Sequence, residues 1–188
     1  EGVSIGPYTV IESDVEIGDD CEIGPFCRFG SGTTIGARNR FESHCSIGAP
    51  PQDLKYAGEK TRLSIGDENV FREFNSFHRG TAGGGGLTVV GNKSLFMAYV
   101  HVAHDWRLGN GTVLANNATL AGHVEVHDHA TLAAADYLAS GARSDPDRWV
   151  VVLDESVRGE VTTILRDAPF DSAAVADRWD AIRERSVK

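Results

Sequence analysis

Val102-Ala103-His104-Asp105-Trp106-Arg107-Leu108-Gly109-Asn110-Gly111-Thr112-Val113-Leu114-Ala115-Asn116-Asn117-Ala118-Thr119-Leu120-Ala121-Gly122 is the stretch that decides the architecture. Its large aliphatic residues Val102, Leu108, Leu114 and Leu120 recur every six positions. The same anchor recurs upstream at Ile5, Ile11, Ile17, Ile23, Phe29, Ile35, Phe41 and Ile47. It continues through Ile65, Phe71 and Phe77, then Val90 and Phe96, and ends at Val126 and Leu132. Glycine often follows directly, as in Ile17-Gly18 and Ile35-Gly36, and the fourth residue after an anchor is usually small or β-branched, as at Cys21, Thr33 and Ala118. A fixed short period marks a repeat architecture rather than scattered helices.

Each six-residue unit reads as one short strand and a turn, and three units close a triangular coil. Coils then stack as parallel strands about 4.8 Å apart, so residues eighteen apart lie one above the other. The anchors point inward and fill a narrow core. The expected fold is all-β: a parallel β-helix of about six coils over residues 1–132. A short, unrelated α+β tail is expected over 133–188, with one helix at 171–185.

The same arithmetic selects a site. His104 is a base followed directly by an acid, Asp105. Gly122 lies eighteen residues on, one coil above His104. Lacking a side chain, it lets a reactant approach its backbone N–H closely. A stacking scaffold has no need of a base next to an acid, whereas histidine is the side chain whose pKa suits proton transfer at neutral pH.

Two segments interrupt the rhythm. Ala49 to Arg62 replaces two units without loss of phase, and is expected to loop out of one face. Arg79 to Thr88 shifts the phase by one residue and contains Gly83-Gly84-Gly85-Gly86. These glycines lack the Gly-Lys-Ser/Thr of a phosphate loop, and read as a turn with positive φ angles.

The net charge of −9 argues against a general nucleic-acid binder. Nothing reads as a signal peptide or membrane span, and a start inside the rhythm, without Met, suggests a chain clipped at its beginning. Cys21, Cys27 and Cys45 all fall in the small inward slot and read as buried thiols of a reducing, cytoplasmic compartment.

Gln52-Asp53-Leu54-Lys55-Tyr56-Ala57-Gly58-Glu59, His78-Arg79-Gly80-Thr81, Gly84-Gly85-Gly86-Leu87-Thr88, Val102-Ala103-His104-Asp105 and the run Leu114 to His123 resemble one family. It is the acyl-(acyl-carrier-protein)–UDP-N-acetylglucosamine O-acyltransferase family, which opens lipid A synthesis, and the resemblance covers about residues 5–132. It implies a left-handed winding, against the usual right-handed crossover. It implies transfer of a 3-hydroxyacyl group from the acyl carrier protein to the 3-hydroxyl of UDP-N-acetylglucosamine. His104 would be the general base, Asp105 its orienting partner, and the Gly122 N–H the oxyanion donor. Asp53 and Lys55, with Gln52 beside them, match positions that hold the acyl donor, and His101 and His123 match positions lining the acceptor cleft. No metal or free cofactor is implied, because the carrier brings its own prosthetic arm. Family members form homotrimers with clefts between subunits.

Other readings stay open at this level: a noncatalytic hexapeptide scaffold, another hexapeptide acyltransferase acting on a nucleotide sugar, or a metal site built on His101-x-x-His104 with His123, His127 and His129 nearby. After Leu132 the anchors stop. Trp149 to Leu153 and Val161 to Leu165 read as strands, and Val175, Trp179 and Ile182 as one face of a helix. This tail is expected to cap the last coil poorly, and the chain to bind UDP-N-acetylglucosamine weakly.

Overall fold

The computed structural model describes residues 1–132 and the backbone of two further strands, Tyr137–Leu138 and Arg143–Ser144. The chain winds as a left-handed parallel β-helix with three flat faces. The first face runs from Ser4–Ile5 to Thr131–Leu132, the second from Val10–Ile11 to Tyr137–Leu138, and the third from Val15–Ile17 to Arg143–Ser144. Each face holds seven strands, one coil more than the sequence pattern counts. The added coil lies past Leu132: Thr119 pairs with Tyr137, and Glu125 with Arg143, at the same eighteen-residue spacing. The strands read at Trp149 to Leu153 and Val161 to Leu165, and the helix at 171–185, lie outside the described residues.

The anchors from Ile23 onward form the core, while Ile5 and Ile11 in the first coil stay exposed. Phe29, Phe41, Phe71, Phe77 and Phe96 are all essentially inaccessible, and their rings meet in stacked and edge-to-face pairs, with Phe41 and Phe71 4.4 Å apart between centroids. Burying each such ring stabilises by about 1.5–3 kcal/mol, with about 0.5–1.5 kcal/mol more per well-placed pair. Glycine after an anchor has a steric cause, since a Cβ on Gly18 would lie 2.6 Å from the carbonyl carbon of Gly36 in the next coil. Cys21, Cys27 and Cys45 are free, buried thiols in the inward slot.

The corners follow one rule. Every non-glycine residue with positive φ among the described residues sits three positions after an anchor, with φ between 55° and 65°. L-residues in this conformation cost about 1–2 kcal/mol each, so the stacked ladder overrides local preference at each corner. Asp105 and His123 both occupy this slot, one coil apart.

The inward slot four after each anchor carries the polar bonds of the core. Asn39 Oδ1 accepts from the backbone N–H of Asn69 at 2.9 Å and from its side-chain amide at 3.0 Å. Asn69 Oδ1 in turn accepts from Ser94 N–H at 2.9 Å, so the buried amides satisfy one another. Trp106 departs from the pattern of small residues in this slot, yet is fully buried.

Candidate active site

Both interruptions leave the helix at one corner, the edge between the second and third faces. The first joins Ser46–Ala49 to Arg62–Ile65, and the second joins Ser76–His78 to Leu87–Val90. His104 and Asp105 turn the same corner one coil later, between His101–Val102 and Arg107–Leu108. Gly122 and His123 turn it in the coil after that. The stacking therefore collects two loops and two corner dipeptides on one edge.

His104 Nδ1–H donates to Asp105 Oδ2 at 2.8 Å, which leaves Nε2 free to act as a base. The ring lies on the α-carbon of Gly122: a Cβ built there would stand 2.5 Å from His104 Cε1 and 2.9 Å from Nε2. His123 packs edge-on to His104, centroids 5.1 Å apart, and its Nδ1 lies 3.7 Å from Asp105 Oδ2. The Asp105 side chain is almost inaccessible, and His104 is only slightly exposed.

The glycine-rich loop holds Asp105, a role that sequence reasoning missed. Thr81 N–H donates to Asp105 Oδ1 at 2.8 Å and Thr81 Oγ1–H donates to Oδ2 at 2.5 Å. Thr81 also caps a short 3-10 turn, Ala82–Gly84, by accepting from Gly84 N–H at 3.1 Å. Asp105 N–H donates to Thr88 Oγ1 at 2.9 Å. The turn reading holds at Gly85 and Gly86, where φ is 96° and 76°. Gly84 has another reason to be glycine, because a Cβ there would run into the Asp105 carboxylate. Burial pushes the Asp105 carboxyl up, but the Thr81 hydroxyl and amide and the His104 N–H outweigh it, and the net shift is below the usual carboxylate range. The one sequence signal was Thr81 itself, a capping residue at the entrance of the glycine run.

His101 faces outward on the second face and shares a 2.7 Å hydrogen bond with Ser76 Oγ. It also meets His78 edge to face, centroids 4.8 Å apart. His78 is buried with an unpartnered Nδ1. Burial first, then the charges His101 and His104 would carry if protonated, lowers its pKa to about 4, so it is neutral at pH 7. Burial likewise lowers His101.

Asp53 and Lys55 line a cleft of about 260 Å³ with Tyr56, Glu59, Thr81, Ala82, Gly83 and His123. Within this loop Asp53 Oδ1 accepts from Lys55 N–H at 2.9 Å. Arg79 ties the loop to the helix, donating to Tyr56 Oη at 3.1 Å and to the Ser31 carbonyl at 2.6 Å. Gln52 is exposed and outside the lining of that cleft. The structure thus brings His104, Asp105, Gly122 and His123 together, with Asp53 and Lys55 across the cleft. Among the described residues, those able to converge on a metal ion are His104, Asp105 and His123, a different set from the His101-x-x-His104 pair. The Asp105 oxygen they would share already accepts from Thr81 and His104.

A β-helix of hexapeptide coils with a histidine–carboxylate pair laid against a backbone glycine defines a hexapeptide-repeat transferase. The family described as "Bacterial transferase hexapeptide (six repeats)" matches residues 1–31. Acyl-(acyl-carrier-protein)–UDP-N-acetylglucosamine O-acyltransferase of Stenotrophomonas maltophilia is 52% identical over 143 residues, covering 66% of this chain and 54% of the relative. The protein of that name in Verminephrobacter eiseniae is 46% identical over 137 residues, covering 73% and 49%. The solved structure of UDP-N-acetylglucosamine acyltransferase from Campylobacter jejuni superposes with a TM-score of 0.68 at 31% identity, covering 88% of this chain and 78% of that one. The chain belongs to the UDP-N-acetylglucosamine O-acyltransferase family. It spans about half the length of the curated relatives it matches.

Proposed function

We propose that the chain carries the chemistry of O-acyl transfer from an acyl carrier protein thioester to the 3-hydroxyl of UDP-N-acetylglucosamine, the opening step of lipid A synthesis. The observation that carries this reading is His104, bonded to the almost inaccessible carboxylate of Asp105 and packed against Gly122. His104 Nε2 takes the proton of the sugar hydroxyl as the oxygen attacks the thioester carbonyl. Asp105 fixes the tautomer that leaves Nε2 unprotonated, and stabilises the imidazolium that forms. The resulting oxyanion accepts from Gly122 N–H. Collapse breaks the carbon–sulfur bond, and the leaving thiolate takes the proton from His104, which restores the base.

Asp53 and Lys55 face the cleft from the loop side, the place for the acyl donor in this reading, and Gln52 precedes them in the same loop. His123 lines the same cleft and, with His101, belongs to the acceptor side in this reading. The reaction needs no metal and no free cofactor. In this reading the enzyme is cytoplasmic and acts as a homotrimer, with each cleft between two subunits. In this reading the β-helix, which continues past Leu132 through Arg143–Ser144, is the acyltransferase domain.

The test is direct. The purified chain is incubated with a 3-hydroxyacyl-acyl-carrier-protein thioester and UDP-N-acetylglucosamine, and the acylated sugar nucleotide is measured. Transfer is expected, and His104→Ala should reduce it by about 100-fold or more with fold and assembly intact. Activity kept within a few-fold would sink the assignment of the base.

A further inference from the structure

Trp106 stands where the other corners keep a small side chain, and the bond it makes explains the exchange. At several corners the polar side chain in this inward slot reaches the carbonyl that follows the anchor of the next coil. Thr9 Oγ1–H donates to the Gly24 carbonyl at 2.9 Å, Asn39 Nδ2–H to that of Gly66 at 2.8 Å, and Asn69 Nδ2–H to that of Gly91 at 2.9 Å. At the candidate site the donor is an indole: Trp106 Nε1–H donates to the Ala121 carbonyl at 2.8 Å. That carbonyl belongs to the peptide bond whose nitrogen is Gly122.

The bond is trans, like every described peptide bond in the chain, so its C=O and N–H point in opposite directions. Trp106 is fully buried, so the Ala121 carbonyl it binds faces the core. The Gly122 N–H therefore points away from the core at the corner that His104 also lines. Among the described residues that N–H has no hydrogen-bond acceptor. His104, Asp105 and Trp106 are consecutive, so one corner supplies the base, its partner and the clamp on the peptide plane above them.

We propose that Trp106 is a positioning residue: its indole N–H locks the Ala121–Gly122 peptide plane and aims the Gly122 N–H at the developing oxyanion. This rests on the reading of Gly122 as the oxyanion donor. A fixed dipole stabilises charge without reorganising during reaction, and a plane free to rock loses part of that effect. Trp106 touches no substrate. Its loss should act on kcat rather than on the binding of either substrate.

The experiment compares the wild-type chain with Trp106→Phe and with a chain carrying 3-benzothienylalanine at position 106, which keeps the indole shape and lacks the N–H. Val100→Ala, a cut in the same inward slot at another corner, controls for lost stability. Both replacements at 106 should lower kcat on the order of ten-fold, with KM for UDP-N-acetylglucosamine and the acidic limb of the pH profile unchanged. Val100→Ala should stay within two-fold of wild type. A benzothienyl variant with wild-type kcat overturns the proposal and leaves the acyltransferase reading standing. If the wild-type chain itself does not turn over, the acyltransferase reading fails and amide spectroscopy decides the role of Trp106. The Trp106 indole proton should exchange slowly with solvent, and the Gly122 amide resonance should move on loss of the donor. Fast indole exchange with an unmoved Gly122 resonance overturns the proposal.

Discussion

Gly122→Ala adds a single methyl group to a backbone that tolerates it, since Gly122 is not among the positions with positive φ. The consequence falls on His104. The new Cβ would begin 2.5 Å from His104 Cε1 and 2.9 Å from Nε2. Carbon atoms in contact prefer about 3.5 Å, so the ring must retreat by about 1 Å or turn away from Asp105. A misplacement of that size costs on the order of 100-fold in rate, while overpacking at one site costs about 1–3 kcal/mol of stability. The assay is steady-state acyl transfer together with urea unfolding. The expected result is a kcat lower by about two orders of magnitude, a modest loss of stability and an unchanged oligomer. A kcat within three-fold of wild type would refute the view that the imidazole works pressed against this glycine.

Thr81→Val keeps the shape of the side chain but removes the hydroxyl that donates to Asp105 Oδ2 and caps Gly84. Without that donor, burial raises the Asp105 carboxyl, so kcat should drop on the order of ten-fold and the acidic limb of the pH–rate profile should move to higher pH; an unmoved limb would count against the clasp. His78 has a folded pKa of about 4, below its unfolded value near 6.5, so the unfolded chain binds the extra proton as pH falls through that window. Stability should be full above pH 6.5 and fall by about 2 kcal/mol between pH 7 and pH 5, and urea midpoints of His78→Phe should lose that part of the dependence.

Much of the site was legible because the repeat converts sequence distance into spatial distance. Eighteen residues make one coil, so Gly122 had to lie over His104, and the same count sets His123 over Asp105. The loops were legible only as interruptions. Yet Ile47, Phe77, Val102 and Leu120 all precede the same corner, so their shared edge was implicit in the phase and was not read from it. Past Leu132 one more apolar anchor, Leu138, stands in phase over Leu120 and was not read; the apolar rhythm breaks only at Ser144, although the backbone there keeps its register with Val126.

The sequence by itself determined the coil, the register and the pairing of base with glycine, because these depend only on a fixed count along a regular backbone. The tertiary structure alone decided how the glycine loop folds over Asp105, that Thr81 donates to it twice, and that the Trp106 indole reaches the Ala121 carbonyl. Inside a loop no period links position to direction. A buried side chain's partner likewise depends on which polar group the packed core leaves within reach.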